Sequence, residues 1–150
     1  MSEKTLRINH PGDGDWIMER VDGVFNPRTD HSLAVARDGE IAGGVVFCGY
    51  TGSAITMHMA GTDTHWATRD FVWSVYAYAF HQLGVRKVIG LVPAGNTRAL
   101  EIDLKMGFRI EARITGVYAD GGDLLILSMT RAECRWLRIG PKHNRCEKAA

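Results

Sequence analysis

In "HSLAVARDGEIAGGVVFCGY" apolar and polar positions alternate: Leu33 and Val35 share one face, Asp38-Gly39 interrupts, and Ile41, Val45 and Phe47 resume the pattern. An Asp-Gly pair between two alternating runs predicts a β-hairpin, because its backbone twist suits paired strands. "SAITMHMAG" alternates again, with Ile55, Met57 and Met59 opposite Thr56, His58 and Ala60, and predicts the next antiparallel strand. The period then changes. In "TDTHWATRDFVWSVYAYAFHQLG" Val72, Val75, Ala79 and Leu83 recur at helical spacing, with Thr68 placed to cap the start and Gly84 to stop the end. "RKVIGLVPA" is short and β-branched, so it reads as a buried strand parallel to the previous one, completing a βαβ unit. A second helix follows from Asn96, its cap, through a predicted buried stripe of Ala99, Ile102 and Met106 to Gly107. Two strands joined around Asp120-Gly121-Gly122 come next, with Leu125, Leu127 and Met129 on one face of the second. Short helices are expected over Asp15 to Val21 and in "AECRWL". Strands interleaved with helices define an α/β domain.

Length and charge narrow the function classes. The 150 residues suit a single domain over 1–150 with one sizeable core. A net charge of +1 gives no global field to recruit nucleic acid or a membrane, so any such partner needs a local patch. A basic tail begins near residue 138, where Arg138, Lys142, Arg145 and Lys148 follow Arg131 and Arg135 and face only Glu133 and Glu147. Cys48, Cys134 and Cys146 are odd in number, widely spaced and lack a Cys-x-x-Cys pair, which argues against a disulfide framework and a metal site. With no apolar leader and no membrane span, a soluble cytoplasmic protein is expected.

A strand, a break, Asn-x-x-Ala and Gly-Phe leading into a hairpin resembles the C-terminal half of the GNAT N-acetyltransferase superfamily. "HW", "YAFHQLGVRKV" and "NTRALEIDLKMGFRIEA" are similar to the branch of ribosomal-protein N-terminal acetyltransferases and short phage-encoded relatives, with "RAECRWL" favouring the latter. The resemblance implies a central mixed sheet of six to seven strands flanked by helices. It also implies acetyl-CoA as co-substrate and direct acetyl transfer to a primary amine of unknown identity. The pantetheine arm is expected along Met59, Ala60 and Gly61. The pyrophosphate is expected at Trp66, Ala67, Thr68, Arg69 and Asp70, where helix N–H groups and Arg69 favour an anion. The family's glycine-rich loop is missing here: "THWATRD" carries no glycine, and the loop is about three residues shorter than in the ribosomal-protein branch. Trp66 is therefore read either as part of the phosphate grip or as a core plug.

For the chemistry, His58 is the candidate general base, since its ordinary pKa suits proton removal from an amine at neutral pH. Asp103 stands where many relatives have a Tyr general acid, and a raised pKa would be needed for it to donate a proton. Tyr118 is an alternative acid. Asn96 is expected to contact the pantetheine as well as cap its helix. Pro93, lacking an N–H, is consistent with strands that part where the acyl group enters. Two further readings stand beside the acetyltransferase: a phage-type enzyme modifying a nucleobase, with nucleic acid at the basic tail, and a catalytically silent binding module. A homodimer is compatible with each.

Overall fold

A computed structural model describes residues 3–63 and 65–140. Seven strands form one sheet in the order β1-β2-β3-β4-β5-β7-β6: β1 Lys4–Ile8, β2 His31–Arg37, β3 Glu40–Cys48, β4 Ala54–Gly61, β5 Lys87–Pro93, β6 Arg109–Ile114 and β7 Leu124–Thr130. The helices are α1 Asp13–Glu19, α2 Arg69–Ala77, α3 Thr97–Met106 and α4 Arg135–Ile139. All neighbouring strands are antiparallel except β4 and β5, which run parallel across the α2 crossover.

Local chemistry accounts for the element ends. Asp38 and Gly39 both take positive φ, 53° and 85°, as the tight β2–β3 hairpin requires. Thr68 Oγ1 accepts from the Phe71 N–H at 3.1 Å and starts α2. Asn96 Oδ1 accepts from the Ala99 N–H at 3.2 Å and starts α3, and Gly107 at φ 113° ends it. The α2 helix does not run unbroken to Gly84, because Tyr78–Gln82 widens into a π-helical turn with the Leu83 N–H reaching the Tyr78 carbonyl at 2.8 Å. That turn keeps Tyr78, Ala79 and Phe80 buried together. The Tyr78 hydroxyl lies 2.9 Å from His31 Nδ1 and accepts from Asn9 Nδ2 at 3.2 Å.

Helices α2 and α3 cover one face, where Leu33, Phe47, Ile55, Val75, Tyr76, Val88, Leu127 and Met129 form the main core. Helix α1 covers the other face over β2, β3 and β4, seating Ile17 and Met18 on Val46. Gly44 permits this contact, since a Cβ there would stand 2.7 Å from the Ile17 side chain.

The structure corrects two expectations and adds one strand. Ile102, expected in the buried stripe of α3, is 40% exposed, while Ala99, Leu100 and Met106 pack on the core and the intervening Asp103 turns toward β5. The edge strand β1 has no counterpart in the sequence reading, because Lys4–Ile8 is mostly exposed and its apolar alternation is limited to Leu6 and Ile8. The terminal helix starts at Arg135, after the Glu133 carboxylate has accepted from the Thr130 N–H at 3.0 Å. Lys142, Arg145, Cys146 and Lys148 lie outside the described residues.

Candidate active site at the parted strands

β4 and β5 are joined only from Ala54–Lys87 to Met57–Gly90. Beyond that point β4 continues to Gly61 on β3, with Gly61 opposite Gly43, while β5 continues to Pro93 on β7, with Pro93 opposite Leu124. The strands therefore separate at His58 and Leu91, two residues earlier than Pro93. The backbone edges of His58–Gly61 and Leu91–Pro93 that face each other lack a strand partner there. Unpaired backbone groups beside a gap are hydrogen-bonding sites for an extended ligand. Both α2 and α3 begin at this end of the sheet, as does the turn between β6 and β7.

His58 and Asp103 approach the gap from opposite faces. Met57 and Met59 point to the α2 side, so His58 points to the α1 side, opposite Val46 in register. Burial lowers the His58 pKa below its usual 6.5, with the nearby Asp30 carboxylate pulling the other way. A neutral imidazole at pH 7 can accept a proton. Asp103 Oδ2 lies 3.9 Å from the place a Cβ on Gly90 would take, on the α3 side. Burial pushes its carboxyl up to about 6, so a protonated fraction persists near neutrality. Behind it, the fully buried Tyr76 donates to Met106 Sδ at 3.3 Å, and burial holds its phenol well above 10. Tyr118 sits on the β6–β7 turn, 39% exposed, and its hydroxyl has no hydrogen-bond partner among the described residues.

The glycine-free loop before α2 is built around Trp66. Its indole lies on Gly43 and Gly61, where added Cβ atoms would fall 2.3 Å and 1.9 Å from the ring, and meets Phe71 edge-on at 5.4 Å between centroids. Glycines absent from the loop thus stand in the strands beneath it, and the Trp66 side chain is buried as a core plug. Asp63 accepts from the His65 N–H at 2.7 Å and from Arg37 at 3.1 Å, and these bonds hold its carboxylate below the usual range. Lys4 Nζ donates to the His65 carbonyl at 3.4 Å, placing beside the loop a second cation that the sequence reading missed.

Ala67 packs on the core and Thr68 is spent as the cap, whereas Arg69 is exposed with no ion pair among the described residues. The Asp70 carbonyl accepts from Ser74 Oγ at 2.9 Å. Met59 packs toward α2 and Ala60 toward α1, leaving their backbone and that of Gly61 to face the gap. Asn96 commits Oδ1 to its cap. Contact between β4 and α2 is close, with a cavity of about 10 Å³ lined by Met57, Met59 and Trp66. A concavity of about 490 Å³ between β1 and α2 lies at the far edge of the sheet from the parted strands.

Solved structures share this arrangement. A single-residue variant of Vibrio cholerae spermidine N-acetyltransferase SpeG superposes with a TM-score of 0.70 at 14% identity, covering 89% of this chain and 96% of that one. A structure described as a probable acetyltransferase gives 0.60 at 17% identity over 79% of this chain and 69% of its own. The fold is that of the GNAT acetyltransferases. No family model matches the chain, and no curated protein does. Among the described residues no helix is long and apolar enough to cross a membrane, and no group of His, Cys, Asp and Glu could hold a metal ion.

Proposed function

We propose that the protein is an acetyl-CoA-dependent N-acetyltransferase acting on a primary amine. The observation that carries this reading is the gap between β4 and β5, flanked by a part-buried imidazole on one face and a carboxyl with a raised pKa on the other. The residues present fit the co-substrate. Backbone edges at 58–61 offer an extended arm its hydrogen bonds. The capped start of α2, with Arg69 exposed beside it, offers the pyrophosphate free N–H groups and a cation.

The thioester of the co-substrate supplies an activated acyl carbon. His58, neutral at pH 7, takes the proton that the amine loses as its nitrogen attacks. The new C–N bond forms while the C–S bond breaks, and the sulfur leaves with the electron pair. Protonated Asp103, on the opposite face, gives its proton to that sulfur. Proton return from His58 to Asp103 through solvent closes the cycle. The low-identity likeness to spermidine N-acetyltransferases supports amine acetylation in general.

Two measurements test the reading. Calorimetry should detect acetyl-CoA binding, and free thiol should appear only when an amine is added. Binding without thiol release across amines, peptides and nucleic acid would favour a silent binding module. Release with nucleic acid alone would favour nucleobase modification. Of the tail's basic residues that are described, Arg135 is already engaged, donating to the Lys105 carbonyl and stacking 4.7 Å above Trp136, which leaves the exposed Arg131 and Arg138 to the nucleobase reading.

A further inference from the structure

The sheet has two edge strands, and they are finished differently. β6 is guarded: its register against β7 shifts between Ile110 and Ala112, and Arg109, Glu111 and Arg113 line the exposed strand. Bulges and charges of this kind keep another chain from adding a strand. On β1 neither device operates. Its register against β2 runs unbroken from Lys4 to Ile8, and it carries no Pro. Its two charged side chains are drawn back over the molecule, Arg7 onto Asp13 at 2.7 Å and Lys4 onto the His65 carbonyl at 3.4 Å.

Hydrogen-bond parity shows what this edge offers. The Asn9 N–H bonds the Ser32 carbonyl at 2.7 Å and the Asp38 N–H bonds the Glu3 carbonyl at 2.9 Å, so odd-numbered residues point their backbone groups at β2. Antiparallel pairing alternates, which turns the N–H and C=O of Lys4, Leu6 and Ile8 outward, with no partner among the described residues. The same residues face α2 with their side chains, because Leu6 and Ile8 pair with Val35 and Leu33 of the core. Leu6 is 46% and Ile8 49% exposed, and both floor the concavity beneath Trp73, Ala77 and His81, which no strand closes beyond β1 among the described residues.

We infer that β1 is the joint of a two-fold homodimer, in which the edge strands of two copies pair antiparallel about Leu6 and join the two sheets into one. The occupant is a second copy because the strand complements itself. Pairing about Leu6 is the register that uses every outward group: Leu6 meets Leu6 and Lys4 meets Ile8, each pair exchanging both backbone hydrogen bonds. On the α2 face Leu6 packs on its twin, and the aliphatic stem of Lys4 covers Ile8. On the α1 face Thr5 lies opposite the second copy's Arg7 and Glu3 lies diagonal to it, so unlike charges approach and no like charges are directly opposed. The gap lies beyond β2 and β3, so both sites stay open in the dimer. The inference is independent of the acetyltransferase reading.

The test uses the purified full chain without ligand. The joint is five residues long, small beside the about 1,200–2,000 Å² that stable interfaces bury, so the dimer should be reversible. Sedimentation equilibrium should show the mean mass rising from one chain toward two between about 1 and 200 µM. Amides of Lys4, Leu6 and Ile8 should exchange more slowly at the higher concentration. Leu6→Lys and Leu6→Glu each set like charges against each other at the axis and should weaken the dimer about tenfold or more, whereas an equimolar mixture of the two should restore it. Leu6→Pro removes an outward N–H that β2 does not use and should give a monomer with the wild-type circular dichroism. A dimer that both charge variants leave intact, or a mixture that stays monomeric, would overturn the inference. So would a wild-type chain that is monomeric throughout, and that result would leave the edge to an extended peptide or the concavity to a small ligand. Acetyl-CoA binding and thiol release should be the same in the variants as in the wild type, so each reading fails in its own measurement.

Discussion

Asp103 shows how one residue links packing to chemistry. It lies on the inward stripe of α3, where helical spacing alone would place an apolar residue, and Gly90 leaves room for its carboxyl against β5. Its folded pKa, about 6, is above the 3.8 of an exposed Asp. The unfolded chain therefore releases this proton first, and the stability the site has below pH 3.8 is lost as pH rises toward 6. Asp103→Asn should stabilise the protein at pH 7 by about 1 to 2 kcal/mol after allowance for partial exposure, as urea midpoints would record, and should have no such effect at pH 3.5. The same variant cannot release a proton to sulfur, so kcat should fall and the decline in rate above about pH 6 should vanish. A variant no more stable and fully active would leave Asp103 without either role. His58 has the opposite sign. Its folded pKa lies below 6.5, so it is a competent base at neutral pH, and the acidic limb of the rate profile belongs below 6.5. His58→Gln should remove that limb and lower turnover about a hundredfold or more, with little change in KM for acetyl-CoA.

At the scale of elements, caps and turns were the most legible features because their signals are local. Thr68, Asn96 and Gly107 each perform the role their position announced, and Asp38-Gly39 makes the hairpin. What sequence spacing could not supply was the partner of each face. Ile102 and Asp103 are neighbours on α3, and only the position of β5 decides which one turns inward. The edge strand β1 offers only Leu6 and Ile8, two alternating apolar positions too few to announce a strand. The two readings of Trp66 stayed open for the same reason, since Gly43 and Gly61 lie on other elements and only pairing brings them beneath the indole. Asn96→Ala should cost about 1 kcal/mol of stability, read from denaturant midpoints, because Ala99 loses its acceptor. Arg69→Ala should leave stability nearly unchanged and weaken acetyl-CoA binding by about 1 to 3 kcal/mol, the scale of a charged hydrogen bond. Unaltered affinity in calorimetry would move the phosphates away from the start of α2.

At the scale of the molecule, the sheet is continuous on both sides of one defect. β1 to β4 hold together by hydrogen bonds and α1, β5 to β7 by their own ladder, and the two halves share the Ala54–Met57 register and the α2 and α3 core. The parted ends thus leave backbone groups exposed inside an otherwise well-paired sheet, and a ligand bridging them would complete the ladder as a strand would. Acetyl-CoA at about a hundredfold excess over its dissociation constant should therefore stabilise the protein by about 2.7 kcal/mol, seen as a rise in thermal midpoint. Hydrogen exchange distinguishes where that stabilisation arises. Amides that exchange by local opening at 58–61 and 66–70 should slow on binding, whereas those of the exposed edge strand β1, at the other side of the sheet, should keep their rates. A thermal shift accompanied by slowing at β1 and none at 58–61 would place the ligand outside the gap, and His58 and Asp103 would lose the geometry that gives them their roles.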